Sequence, residues 1–207
     1  MMILALEFSS DRRSVALARN GEVLVEAVQH TDSRATNAFG LVETVLANAK
    51  ITREEVEAVA IGLGPGSYTG IRVAIAMAQG WQLARHIKLI GVSSAECLAA
   101  QAQAKQIYGR VNVVIDAQRG EFYSATWEIS AVECRQILPL TVVPQNELRA
   151  RAGEICVGPQ VESPLFPSAT MVASLASRNI GAISGEPLEP IYLRDDTFVK
   201  AAPPRVL

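Results

Sequence analysis

Gly62-Leu63-Gly64-Pro65-Gly66-Ser67-Tyr68-Thr69-Gly70-Ile71-Arg72 is the stretch on which the reading of the chain turns. An apolar run, Val56 to Ile61, enters it as a strand, and a long helical pattern, Ile71 to Ala84, leaves it. A strand running into a glycine-rich turn that opens a helix is how α/β proteins build an anion cradle or a close backbone contact. Pro65 restrains the turn, and Ser67 or Thr69 can cap the first N–H groups of the helix. Spacing excludes two nucleotide motifs. A Walker loop needs Lys and then Ser or Thr after its last Gly, whereas Gly70 is followed by Ile71 and Arg72. A dinucleotide fingerprint is G-x-G-x-x-G, and Gly64-x-Gly66-x-x-x-Gly70 is one residue too long.

Working outward, Met2 to Glu7 reads as a strand, Phe8 to Arg12 as a polar turn and Ser14 to Ala18 as a second strand. Asn20-Gly21 is a strong hairpin signal, with Glu22 to Gln29 as the third strand. After a polar segment to Thr36, Ala38, Leu41, Val42, Val45, Leu46 and Ala49 recur at helical spacing. Val56 to Leu63 is a strand, Ile71 to Arg85 a helix and Lys88 to Val92 a strand. Ser93-Ser94 caps a third helix, with Ala95, Leu98, Ala99 and Ala102 on one face. Three antiparallel strands followed by alternating helices and strands is a ribonuclease-H-like order.

A polar break near Lys105 to Arg110 divides the chain into 1–106 and a smaller 107–207, whose tail can return to the first part. The second part repeats the first: Val111 to Asp116 ends in an acid, and Glu121 to Ile129 and Cys134 to Val143 follow. A short helix from Pro144 to Ala152, a brief strand from Ile155 to Gly158 and a helix from Met171 to Asn179 complete it. The layout is α/β with mixed sheets, the actin-like, two-lobed arrangement with a reduced second lobe. The tail is rich in proline (Pro187, Pro190, Pro203, Pro204), and residues after Lys200 read as loosely ordered.

Composition narrows the function. The 207 residues are 49% hydrophobic and 19% charged, with a net charge of −2 and no basic block. That argues against a chain that holds RNA by itself. Cys97, Cys134 and Cys156 read as buried reduced thiols. The first strand is too short for a signal-peptide core and no window reaches a membrane span, so a cytoplasmic protein is expected.

Glu7 and Asp116, at matching strand ends, could hold Mg²⁺ through water or orient a nucleophile; equally, each could cap its own turn. His30 and His86 are the only histidines and form no metal-binding pair, so no metal site is expected. In the helix Ile71–Arg85, the polar residues Arg72, Gln79, Gln82 and Arg85 spread over about 140°, with Ile71, Ile75 and Ala78 inside the same arc. Such a helix is buried on more than one side, by its own core and, with equal weight, by a partner's helix.

These residues resemble a known family. The opening Ile3-Leu4-Ala5-Leu6-Glu7-Phe8-Ser9-Ser10 and the loop Gly64-Pro65-Gly66-Ser67-Tyr68-Thr69-Gly70-Ile71-Arg72 carry most of the likeness. Gly91-Val92-Ser93-Ser94, Asp116-Ala117-Gln118-Arg119-Gly120-Glu121-Phe122-Tyr123 and Tyr192-Leu193-Arg194 extend it over nearly the whole chain. Together they look like the TsaB (YeaZ) family of tRNA N6-threonylcarbamoyladenosine biosynthesis. The resemblance implies an actin-like fold and a non-catalytic subunit with no catalytic residues of its own. It implies that the chain activates a catalytic paralogue, TsaD, together with the ATPase TsaE, forms a homodimer when alone, and meets tRNA only through the complex. It implies an interface on the first two helices, at Leu41, Val45, Ile71, Arg72, Ile75, Ala78, Gln79 and Gln82. Glu7, Ser9, Ser10, Gly64, Gly66, Ser67, Thr69, Gly70 and Asp116 would then be a vestigial nucleotide or anion site, with at most weak ATP, ADP or Mg binding. Glu7 departs from the Asp common in the family. The rival is an ATP-dependent phosphotransferase or a metallopeptidase-like enzyme of the same fold.

Overall fold

Met2–Glu7 (β1) is buried along its whole length and forms the centre of a five-stranded sheet. The computed structural model describes residues 1–30, 37–150, 154–178 and 188–193. Thr36, Arg194, the end of the expected helix at Ala152, Asn179 and most of the proline-rich tail lie outside the described residues. Around β1 the order is β3-β2-β1-β4-β5, from Arg12–Arg19 (β2), Glu22–His30 (β3), Ala58–Gly62 (β4) and Lys88–Val92 (β5). The pairs β1–β2 and β2–β3 are antiparallel, and β1–β4 and β4–β5 are parallel. Asn20 and Gly21 both take positive φ, as the two-residue turn between β2 and β3 requires.

Alternation along β1 divides its two faces. Met2, Leu4 and Leu6 point, with Val15, Leu17, Val59 and Ile61, towards Ala38–Ala49 (α1) and Tyr68–Arg85 (α2). Ile3 and Ala5, with Ala16, Ala18, Ala58 and Ala60, face Ala169–Arg178 (α5). Alanines on both sides of that layer let the helix lie close to the sheet.

The second sheet, β8-β7-β6-β9, repeats the order β3-β2-β1-β4 with Gly109–Gln118 (β6), Glu121–Ile129 (β7), Cys134–Pro144 (β8) and Ile155–Val157 (β9). A short helix, Gln145–Ala150 (α4), follows β8. Directions are repeated as well: β6–β7 and β7–β8 are antiparallel and β6–β9 is parallel. Among the described residues it has no counterpart of β5. Two ribonuclease-H-like units of this kind are the actin-like arrangement. Ser94–Ala104 (α3) sits between the sheets: Ala95, Leu98, Ala99 and Ala102 pack on Val111, Val113 and Ile115, while Cys97 faces the layer beneath the first sheet.

Some boundaries move for local reasons. α2 starts at Tyr68, three residues before the expected Ile71, because Ser67 is the N-cap and its Oγ accepts the Gly70 N–H at 3.3 Å. β4 starts at Ala58 because Arg53–Glu55 forms a 3₁₀ turn, closed by the Thr52 N–H on Glu55 Oε2 at 2.8 Å.

Candidate functional site

The glycine loop spends its close approaches on the protein's own backbone. A Cβ at Gly66 would run into the Ser9 carbonyl oxygen, and one at Gly70 into that of Phe8. Gly66 also has φ +147°, and the Ser67 N–H donates to the Ser9 carbonyl at 2.7 Å. The loop and the turn after β1 are therefore clamped together, and the Ser67 N–H is taken up by that contact.

Glu7 lies behind this clamp. Its side chain continues the inward alternation of Ile3 and Ala5 and is fully buried. Oε1 accepts the Ser9 N–H at 2.7 Å and Oε2 the Ser94 hydroxyl at 2.9 Å. Ser94 Oγ in turn accepts the Gly64 N–H at 3.2 Å, and the Ser94 N–H donates to the Gly64 carbonyl at 2.8 Å. Burial raises the Glu7 carboxyl above its ordinary value, against the opposing pull of the bonds from Ser9 and Ser94. One carboxylate thus ties together β1, the glycine loop and the start of α3. Sequence pairing of Glu7 with Asp116 does not survive as geometry. Val111, Val113 and Ile115 face α3, so Asp116 falls on the opposite face of its strand. There it accepts the Gln118 N–H on Oδ1 and the Gln118 side-chain amide on Oδ2, both at 2.7 Å. Each acid closes its own turn.

A cleft of about 660 Å³ lies between the sheets, and Ser9, Ser10, Gly66, Ser67 and Asp116 line it. Glu7, Gly64, Thr69 and Gly70 are not among its lining residues. Sequence reasoning missed Asp11, Arg119 and three tyrosines, Tyr68, Tyr123 and Tyr192, on its walls. Tyr192 arrives on the described tail segment, which is fixed by the Ile191 N–H on the Leu63 carbonyl at 2.9 Å and by Leu188 in the core. Its ring stacks on Tyr68, with centroids 5.2 Å apart and planes 28° from parallel. The sequence expectation that the apolar patch around Ile191 and Tyr192 can return to the first part did not extend to the stacking of Tyr192 on Tyr68. Among the described residues no three His, Cys, Asp or Glu side chains gather as a metal site.

The helices α1 and α2 need a correction. Val45, Ile71, Ile75 and Ala78, expected at a partner interface, are buried in the chain's own core, and Leu41 is half-buried against it. Arg72, Gln79 and Gln82 are exposed. The outward stripe of α2 is Tyr68, Arg72, Ala76, Gln79 and Leu83, all within about 80° of one another. Leu83 is 83% exposed, and Phe39 on α1 is 69% exposed. Cys97 is buried, whereas Cys134 and Cys156 are only half-buried.

A TsaB protein of Haemophilus influenzae, described as a tRNA threonylcarbamoyladenosine biosynthesis protein, is 30% identical over 99% of this chain and 98% of its own. The chain belongs to the TsaB (YeaZ) family. The Escherichia coli TsaB is 26% identical over 98% of this chain and 99% of its own. Residues 28–148 match the family model described as TsaD: tRNA N6-adenosine threonylcarbamoyltransferase. The solved structure of YeaZ from Pseudomonas aeruginosa superposes with a TM-score of 0.78 at 28% identity, over 93% of this chain and 99% of that one. A second Pseudomonas aeruginosa structure, described as similar to the peptidase YeaZ, superposes at 0.79 with 29% identity over 93% and 99%.

Proposed function

We propose that this chain is a non-catalytic subunit in the synthesis of N6-threonylcarbamoyladenosine in tRNA, acting in the cytoplasm. It binds and activates a TsaD-like transferase through the outer face of α1 and α2, with a TsaE-like ATPase joining the pair. Alone, the same face supports a homodimer, and tRNA is reached through the complex. One observation carries the reading: α2 is packed into the core on one side and presents small and apolar residues, Ala76, Gly80 and Leu83, on the other. Small residues let a second helix approach closely, and an exposed leucine beside them favours a protein partner. The names of the relatives support the pathway, and the likeness of residues 28–148 to the TsaD family model is the ground for taking a TsaD-like protein as the partner.

The rival phosphotransferase or metallopeptidase would need Glu7 at the cleft, and Glu7 is sealed behind the loop. Co-elution of the chain with the TsaD-like transferase of the same organism tests the proposal. The wild type should elute with the transferase and Ala76→Glu should not, while both keep the same thermal midpoint. Equal co-elution of the two would remove α2 from the interface.

A further inference from the structure

Arg72 stands on the outer stripe of α2 with its guanidinium 5.1 Å from the centroid of the Tyr68 ring and an N–H donated to the Tyr68 hydroxyl. The Tyr192 ring also stacks on Tyr68. Tyr68 is 55% exposed and Tyr192 41% exposed, so the cluster is at the surface. Among the described residues no carboxylate pairs with Arg72. A guanidinium has five donors in a planar fork, and the bond to the Tyr68 hydroxyl uses one of them. The side chain is ordered before anything binds, so little rotamer freedom is lost on binding. Tyrosine and arginine are also the residue types that carry most binding energy at protein interfaces.

We infer that Tyr68, Arg72 and Tyr192 form an anchor for a carboxylate on the partner protein, with Arg72 taking it in a two-pronged hydrogen bond. The inference rests on the partner-subunit reading and adds the chemistry that the partner must present. A phosphate would fit the same fork. The surroundings favour a carboxylate on a protein. Ala76 and Leu83 continue the stripe beside the cluster as exposed, uncharged surface, which suits the packed face of a folded protein and not a phosphate backbone. Tyr192 makes the described tail segment part of that surface, because it holds Tyr68 under the guanidinium.

The test is calorimetric titration of Arg72→Glu, Arg72→Lys and Tyr192→Ala against the purified TsaD-like transferase, with tRNA alone as a second titrant. Arg72→Glu should weaken transferase binding by at least about tenfold, as loss of a charge-assisted pair does. Arg72→Lys should fail to restore it, because an ammonium lacks the fork. An Asp→Arg or Glu→Arg change at one acidic position of the transferase should recover binding to Arg72→Glu. Wild-type binding with Arg72→Glu within twofold of it overturns the anchor and leaves the subunit reading standing. Loss of tRNA binding by Arg72→Glu, with transferase binding unchanged, reassigns the fork to phosphate. No binding by the wild type overturns the subunit reading, and the anchor with it. Equal melting temperatures of all the variants keep the comparison free of folding effects.

Discussion

Glu7 carries a carboxyl into the interior with only Ser9 and Ser94 as hydrogen-bond partners among the described residues. Because burial raises its proton affinity in the fold, its titration destabilises the folded state as pH rises. Below the ordinary value of 4.5 both states hold the proton and nothing is lost. From there up to the raised folded value the unfolded chain ionises first, so stability falls. Glu7→Gln removes that slope. Urea unfolding of both proteins at pH 4 and pH 7 should show the variant gaining on the wild type at the higher pH. A difference that does not change with pH would contradict the account. The glycines are graded by what surrounds them. Gly66→Ala and Gly70→Ala push a methyl into backbone carbonyls and should cost about 3 kcal/mol or more, whereas Gly80→Ala meets open space in an exposed helix and should gain roughly 0.5–1 kcal/mol in the same assay. Sequence showed that close approach occurs in this loop. It could not show that the approaching group is the backbone of Phe8 and Ser9, which is more than fifty residues away in the chain.

The residue pattern of α2 is two-sided, and the structure shows which side is which. Its helical period was legible, but alanine and glycine line both faces, and an amphipathic signal weakens when Ala76, Gly80 and Leu83 are among the exposed residues. Ile71 and Ile75 lie in the same arc as the polar residues and yet turn inward, so the polar arc pointed to the wrong edge of the helix. The distinction is measurable. Ile75→Glu buries an unpaired charge and should cost on the order of 4 kcal/mol in chemical unfolding. Leu83→Glu replaces an exposed side chain and should change stability by no more than about 0.5 kcal/mol while weakening partner binding. Similar unfolding midpoints for both variants would show that α2 is not seated as described. In α3 the period gave the buried face correctly, Ala95, Leu98, Ala99 and Ala102, but not its neighbour: that face supports the second sheet.

Across the whole molecule the repeat was legible because turn chemistry and alternation recur in the same order, and strand order and direction recur with them. The functional pairing drawn from that repeat was not, since a shift of one residue in the alternation sends Glu7 towards α3 and Asp116 away from it. The result is a cleft whose walls are held by their own turns and a helix surface that is left open. The proposed function places the working surface on that open helix face. Reconstituted tRNA modification tests that claim most directly, with threonylcarbamoyladenosine quantified by mass spectrometry after incubation of tRNA, the adenylate donor, the TsaD-like transferase, the TsaE-like ATPase and this chain. Modification should depend on the chain, be lost with Ala76→Glu and persist with Asp116→Asn. Full activity with Ala76→Glu, or its loss with Asp116→Asn, would contradict the account.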